Sequence, residues 1–278
     1  MIIAITGSSG FVGSALKKQL VKLNYEICEI DITDGFDLTD WESISGIDHF
    51  DLLIHLAAKS YVPDSFSNPV EFYKTNVIGT LHALELCRKH NARIIYTSSY
   101  VYGNPQYLPI NEEHPVNAFN PYAQSKLMGE NLCKAYHRDF NIPVIVLRPF
   151  NIYGKGQNDQ FLIPMIISQA KKGKINLKDS RPKRDFIYIE DIVNAYIKSI
   201  EYTSSTFEIF NIGSGKSTSI QELTSIISKF YQNLSKITFS EKQRKNEVLE
   251  TIADISKANR LLNWFPKYSI EEGIVKII

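Results

Sequence analysis

Short runs of β-branched and aliphatic residues alternate along this chain with longer segments whose apolar side chains recur every three or four positions. Ile2-Ile3-Ala4-Ile5 is followed, across a glycine-rich turn, by Val12, Leu16, Leu20 and Leu23 at helical spacing, so the chain opens as strand, loop and helix. A second strand is predicted over 25–30 and a third over the small apolar run 52–58, with a short helix-like segment between them. A helix over 69–90, with Val77, Leu81, Leu84 and Leu86, leads into a strand over 93–99. A helix over 121–140 then precedes a strand over 144–147, which Pro143 and Pro149 bracket. Strands alternating with helices at this spacing are βαβ units. They predict an α/β fold built on a doubly wound parallel sheet, with ligands outside the C-terminal ends of its strands.

After Arg148 the character changes. A Gly- and Asn-rich loop runs to Gln157, a helix is predicted over 161–172, and a basic, irregular stretch occupies 178–185. Core-like composition returns with a strand over 186–188, a helix over 190–202 and a strand over 207–212. The expected organisation is one sheet domain of residues 1–150 plus about 186–215, and a smaller discontinuous lobe of about 151–185 and 216–278. There is no internal repeat and no low-complexity segment.

A hydrophobic content of 44% and a charged content of 22% are ordinary globular values and argue against disorder or a coiled coil. The net charge of +1, with basic residues scattered, offers no stripe for nucleic acid. Cys28, Cys87 and Cys133 show no C-x-x-C spacing, which points to a reducing compartment without disulfides or structural zinc. The six histidines form no paired-ligand pattern, so no metal is expected. No apolar run reaches membrane-spanning length, and a core strand opens the chain. A cytoplasmic location without membrane contact is the expectation.

The first turn holds Thr6-Gly7-Ser8-Ser9-Gly10-Phe11-Val12-Gly13. Glycines allow close backbone approach, and a helix N-terminus presents unpaired N–H groups with partial positive charge, so the turn suits a pyrophosphate. The G-x-x-G-x-x-G spacing is also that of a plain tight turn. Asp31 ends the second strand, where a carboxylate accepts both ribose hydroxyls and repels a 2′-phosphate, favouring NAD over NADP. Asp37, before Leu38-Thr39-Asp40, reads either as a partner for an adenine amine or as a helix N-cap. Ala57 and Ala58 at the end of the third strand leave room for a cofactor. Asn76 falls mid-helix, where a polar side chain is more often solvated than functional. Gly213-Ser214-Gly215-Lys216-Ser217-Thr218 resembles the end of a P-loop, but Phe210 stands where that motif needs its first glycine. A glycine turn with Ser217 or Ser219 capping the next helix explains it.

Tyr122 and Lys126 are one helical turn apart and share a helix face. An ammonium beside a phenol favours the phenolate and lowers its pKa, which suits the tyrosine to exchange a proton with a sugar hydroxyl or ketone. Ser98, at the end of the preceding strand, stands where a hydroxyl would hold a substrate oxygen against Tyr122; a strand-end serine also satisfies its own backbone.

Together the glycine loop, Asp31, His55-Leu56-Ala57-Ala58, Asn76, Thr97-Ser98-Ser99-Tyr100-Val101-Tyr102-Gly103, Tyr122-x-x-x-Lys126 and Arg148-Pro149-Phe150-Asn151 resemble the extended short-chain dehydrogenase/reductase family, in its nucleotide-sugar epimerase/dehydratase branch. The resemblance covers essentially the whole chain, since Arg184-Asp185-Phe186-Ile187-Tyr188-Ile189-Glu190-Asp191, Asn211-Ile212-Gly213 and Ala253-Asp254-Ile255-Ser256-Lys257-Ala258 also match. It implies a Rossmann-type NAD-binding domain with a smaller nucleotide-sugar-binding lobe. It implies that Gly7, Ser9, Gly10, Phe11, Val12, Asp31, Asp37, Leu38, Leu56, Ala57, Ala58, Asn76, Tyr122, Lys126, Pro149 and Phe150 line the NAD site. Ser98, Tyr122 and Lys126 would be catalytic, and Ser98, Asn151, Arg184 and Arg244 would touch a nucleoside-diphosphate sugar, whose oxygens suit arginine forks. A homodimer through the helices at 69–90 and 121–140 is also implied.

Dehydratases of this branch carry an Asp-Glu pair directly after the catalytic Ser or Thr. Ser99 and Tyr100 stand there, and neither is an acid–base group at neutral pH, so a 4,6-dehydratase is not expected. The expected activity is an NAD-dependent nucleotide-sugar C4 epimerase, resembling UDP-glucose 4-epimerase, with an NAD(P)H-dependent reductase of nucleotide 4-keto-6-deoxy sugars as the alternative.

Overall fold

The computed structural model describes residues 1–203, 206–240, 242 and 247–278. The first half of the chain forms β1 (Ile2–Thr6), α1 (Phe11–Lys22), β2 (Glu26–Ile30), α2 (Trp41–Ile44), β3 (Leu52–His55), α3 (Val62–Ser67), α4 (Pro69–Tyr73), α5 (Gly79–His90), β4 (Arg93–Thr97), α6 (Pro121–Phe140) and β5 (Val144–Pro149). The second half forms β6 (Asn151–Tyr153), α7 (Leu162–Lys171), β7 (Lys174–Leu177), β8 (Lys183–Arg184), β9 (Phe186–Tyr188), α8 (Ile189–Glu201), β10 (Phe207–Ile212), β11 (Thr218–Ser219), α9 (Ile220–Ser228), β12 (Lys236–Phe239), α10 (Ser256–Leu262) and α11 (Ile270–Val275).

Among the described residues, six strands form one sheet in the order β2-β1-β3-β4-β5-β10. Every pairing in it is parallel. The chain leaves β1 toward β2 and then resumes on the other side of β1 with β3, so the switch of direction, and with it the crevice, lies between β1 and β3. Thr6 is level with Ile30 and His55 there, while Thr97 is level with Leu147 and Ile212 with Pro149. The strand ends therefore align along one edge.

Alternate strand residues face opposite layers. Ile3, Ile5, Leu52 and Ile54 pack with Leu16 and Leu20 of α1 and Ile192 and Tyr196 of α8. Ala4, Leu53, Ile94 and Val146 pack with Ala83 and Leu84 of α5 and Cys133 of α6. A separate apolar core joins Ile163 and Ile166 of α7, Ile175 of β7, Leu223 and Ile227 of α9, and Tyr153. Within the stretch expected to belong to the lobe, α10 instead packs its Ala258 and Leu262 into the sheet's core beside buried Trp264. The Trp264 indole N–H donates to the Asp191 carbonyl at 3.0 Å and fixes it there.

Two elements differ from their sequence patterns. The third strand ends at His55 rather than running to Ala58, because the Leu56 and Ala57 amides turn onto Thr6 Oγ1 at 3.1 and 3.2 Å and carry the chain across the glycine loop. The helix expected over 69–90 is a succession of α4, a π-turn at Lys74–Ile78 and α5. Among the described residues no helix is long and apolar enough to cross a membrane.

Candidate active site

The glycine loop joins β1 to α1 at the crevice. Gly7 has φ +70°, and a Cβ there would lie 2.8 Å from the Ala57 nitrogen; a Cβ on Gly13 would collide with the Gly7 carbonyl. Both positions therefore exclude a side chain, which is how β1, α1 and the turn after β3 come this close. Ser9 and Gly10 are exposed, and no side chain caps the start of α1. Amides with no capping side chain, a sterically enforced glycine cradle and a nearby carboxylate fit a dinucleotide pyrophosphate and its ribose. Phe11 is half-buried and packs against the core built by α7, β7 and α9.

Asp31 accepts from the Ser9 amide at 2.9 Å on Oδ2 and from the Thr33 amide and hydroxyl at 3.0 and 2.9 Å on Oδ1. Burial acts to raise its pKa, but these bonds and the charge of Lys17 outweigh it and hold the carboxyl below its ordinary value. Three hydrogen bonds thus already reach Asp31, one of them from the Thr33 hydroxyl, which also lies 3.0 Å from Ser9 Oγ. Asp37 caps no helix: its Oδ1 takes the Thr39 amide and hydroxyl, both at 2.8 Å, and the cap of α2 is Asp40. Leu38 is buried, with its carbonyl on the His82 ring at 2.8 Å.

Asn76 is neither solvated nor idle. It sits buried in the π-turn, accepting the Lys59 amide at 2.8 Å and donating to the Lys59 carbonyl at 3.0 Å and to Ser125 Oγ at 2.8 Å. Ser125 in turn donates to the Tyr122 carbonyl at 2.8 Å, so Asn76 ties the loop after β3 to the first turn of α6. The extra residue of a π-turn is what aims it there. A second buried chain runs from Thr6 to His55 Nδ1 at 2.7 Å, and from His55 Nε2 to Thr80 at 3.1 Å. Thr80 donates to the Asn76 carbonyl at 2.6 Å, and Thr6 Oγ1 already accepts two amides, so His55 carries its proton on Nε2. Burial, with repulsion from Lys126, holds the imidazole down to about 3 and therefore neutral.

Asn120 caps α6 through the Ala123 amide, with Pro121 in the first turn, and this presents Tyr122 beside the end of β4. Burial pushes the Tyr122 phenol up to about 12, opposed by a hydrogen bond with the Ser99 hydroxyl. The expected lowering by Lys126 is absent from this arrangement. Lys126 Nζ lies 4.7 Å over the Tyr96 ring, and burial, against the nearby Cys133 and Glu130, brings its own pKa down to about 8. Ser98 is turned inward: its hydroxyl donates to Glu130 Oε1 at 2.5 Å.

On the far side of the cleft, Phe150 is buried and stacks with Tyr100 at 5.2 Å between ring centres. Pro149 ends β5 opposite Ile212. Asn151 accepts from the Tyr100 hydroxyl at 3.2 Å and donates to the Asp185 carbonyl at 3.0 Å. Arg184 is ion-paired with Glu247 and donates to the Lys183 carbonyl at 2.9 Å. Arg244 lies outside the described residues. The P-loop-like turn is filled from within: Asp185 accepts the Ser214 amide and hydroxyl at 2.6 and 2.7 Å and the Gly215 and Ala253 amides at 3.0 Å. Burial raises the Asp185 carboxyl against those bonds. Ser219, not Ser217, caps α9, in a capping box with Glu222.

Glu130, Ser99 and Tyr100 were missed as site residues. Glu130 had a legible signal, because Tyr122, Lys126 and Glu130 follow one another at four-residue intervals along one helix stripe.

A family model described as the NAD dependent epimerase/dehydratase family matches residues 3–213. A Methanocaldococcus jannaschii protein with the provisional name UDP-glucose 4-epimerase is 34% identical, over 100% of this chain and 97% of its own. The GDP-6-deoxy-D-mannose reductase of Pseudomonas aeruginosa is 29% identical, over 99% and 95%. The crystal structure of a Thermotoga maritima UDP-glucose 4-epimerase with UDP-glucose superposes with a TM-score of 0.93 at 26% identity, over 99% of this chain and 97% of that one. The sheet with its glycine cradle, the Tyr122 and Lys126 pair and these full-length likenesses agree: the chain is an enzyme of the NAD-dependent epimerase/dehydratase family, within the extended short-chain dehydrogenase/reductases.

Proposed function

We propose that this enzyme is an NAD-dependent nucleotide-sugar C4 epimerase that works through a transient 4-keto sugar. What supports it most is the glycine cradle with its acidic neighbour Asp31 at the strand ends, on a sheet whose β4 ends just before Ser98 and whose α6 carries Tyr122 in its first turn. NAD, when bound, accepts and returns a hydride. Gly7, Ser9, Gly10, Phe11 and Val12 would line its pyrophosphate at the start of α1; Asp31 would take a ribose hydroxyl and its charge disfavours a 2′-phosphate. Asp37 and Leu38 border the adenine, and Leu56, Ala57, Ala58 and Asn76 its path across the crevice.

Tyr122 takes the proton from the sugar O4 hydroxyl and gives it back to the ketone oxygen. Its phenol is high in this arrangement, so ionising it needs positive charge brought close. Lys126, one helical turn on from Tyr122, would supply that charge. Ser98 orients O4. Pro149 and Phe150 wall the reacting face, while Arg184, Asn151 and Arg244 hold the diphosphate, Arg184 leaving Glu247 to do so.

A second reading is a reductase of nucleotide 4-keto-6-deoxy sugars. It uses the same residues, and the likeness to the GDP-6-deoxy-D-mannose reductase favours it. Ser99 and Tyr100, standing where a dehydratase of this branch carries its Asp-Glu pair, supply no acid–base pair for 4,6-dehydration. The discriminating experiment incubates the purified enzyme with UDP- and GDP-hexoses without added cofactor. The 4-epimer is expected; no epimer, with NAD(P)H consumed on a 4-keto-6-deoxy sugar, replaces the epimerase with the reductase.

A homodimer through α4, α5 and α6 belongs to the same proposal, supported by the exposed Val70, Ile78 and Met128 on those turns. Sedimentation showing a monomer at micromolar concentration rejects it.

A further inference from the structure

The turn after β10, Gly213-Ser214-Gly215, resembles the end of a P-loop, and the anion it holds comes from the chain itself. Successive amides at Ser214 and Gly215, with Gly215 at φ +71°, make an anion-binding concavity. The Ser214 amide reaches Asp185 Oδ1 at 2.6 Å and the Gly215 amide reaches Oδ2 at 3.0 Å. The Ser214 hydroxyl adds a second donor on Oδ1 at 2.7 Å, and the Ala253 amide a second on Oδ2 at 3.0 Å. Asp185 is fully buried, and a Cβ on Gly213 would lie 2.7 Å from its Oδ2, so the turn closes directly on the carboxylate.

The main chain of the same residue supports the sugar side of the cleft. The Asp185 carbonyl accepts both the Asn151 amide and the Asn151 Nδ2, each at 3.0 Å. Arg184 is the preceding residue, paired with Thr218 between β8 and β11. Segments around 151, 185, 214 and 253, remote from one another in sequence, thus meet at one residue.

We infer that Asp185 is a positioning residue, an internal anion standing where a P-loop would hold a phosphate, and that it keeps Arg184 and Asn151 in place for the diphosphate of the sugar nucleotide. This rests on the reading of those two residues as diphosphate ligands. Removing the carboxylate leaves three amides and a hydroxyl without their acceptor in a dry interior, and releases the 184–185 backbone from the turn. The hydrogen bonds of Asp31 are made with Ser9 and Thr33, away from Asp185, so NAD affinity serves as the internal control.

The test measures binding rather than turnover. Dissociation constants for UDP, GDP and NAD are taken by titration calorimetry on the wild type, Asp185→Ala and Asp185→Asn, with the thermal midpoint in parallel. Asp185→Ala is expected to bind the diphosphate that the wild type prefers about 10- to 100-fold more weakly, with NAD affinity changed by less than about threefold. Sodium formate, which matches the group removed, is expected to recover at least about fivefold of that loss at concentrations where sodium chloride recovers none. Asp185→Asn fills the same space but turns an N–H onto an amide on whichever side it lies. It is expected to bind the diphosphate about tenfold more weakly and to ignore formate.

If the alanine variant does not fold, the asparagine variant decides, and wild-type diphosphate affinity there overturns the inference. So does a loss of NAD affinity as large as the loss of diphosphate affinity. Formate that raises the thermal midpoint of Asp185→Ala without restoring diphosphate binding assigns the carboxylate to stability alone and also overturns it, as does a wild type that binds neither UDP nor GDP. A wild type that makes no 4-epimer, while the variants lose and regain the diphosphate as expected, refutes the proposed function and leaves the inference standing.

Discussion

At the glycine loop the groups on offer are backbone amides, whereas across the cleft they are side chains that already hold one another. Gly7 and Gly13 have no room for a Cβ, and the loop keeps its shape through that close contact and through local bonds, the Gly10 amide on the Gly7 carbonyl at 3.1 Å and the Ser9 amide on Asp31. Arg184, by contrast, is paired with Glu247, and Asn151 lies between Tyr100 and Asp185. A site made of backbone is ready before its ligand arrives; a site made of paired side chains must exchange partners on binding, and each exchange subtracts from affinity. The cofactor side should thus be brittle to small steric changes and the sugar side tolerant of them.

The largest expected effect is at Gly13. Gly13→Ala places a methyl on the Gly7 carbonyl and is expected to lose on the order of 3 kcal/mol of stability and measurable NAD affinity. Urea unfolding and a fluorescence titration with NAD check both, and wild-type values in each would mean that the loop is not held as tightly as its contacts imply. Next, Tyr122→Phe is expected to reduce kcat about 10³-fold, with NAD affinity and the thermal midpoint retained.

A smaller effect belongs to Lys126, which joins the two sides. Its pKa is about 8 in the folded enzyme against an ordinary 10.5. Between those values the unfolded chain holds more protons, so this group makes stability rise with pH through the window and penalises the fold below it. Urea unfolding of the ligand-free enzyme at pH 7.5 and 9.5 should show that rise in the wild type and lose it in Lys126→Met. The same difference in both proteins would assign the rise elsewhere. Smallest is the exchange at the sugar side. Arg184→Ala is expected to raise the KM for the nucleotide sugar about tenfold with kcat little changed, and Glu247→Gln to lower it by no more than a few-fold. If Arg184→Ala alters kcat instead, that arginine acts on the reaction and not on binding.

Much of this was legible in advance, and the rest was lost for a consistent reason. The glycine loop, Asp31 and the Tyr122 and Lys126 spacing are local signals, and each points to its place along the strand ends. Asn76 read as an ordinary mid-helix residue because nothing in its neighbourhood announces a π-turn. The pairing of Ser98 with Glu130 spans 32 residues, and that of Asp185 with Ser214 spans 29. Such partners meet only after the sheet has assembled.

The amino-acid sequence by itself determined the order of strands and helices, the glycine cradle and the identities of the groups along the cleft, because side-chain periodicity and glycine's backbone freedom act within a few residues. Only the tertiary structure decided what each polar group faces. Lys126 lies over Tyr96 rather than beside Tyr122, Asp185 fills the turn that resembled a phosphate site, and Ser98 gives its one proton to Glu130. Buried polar atoms must find partners wherever packing brings them, and packing is a property of the whole chain.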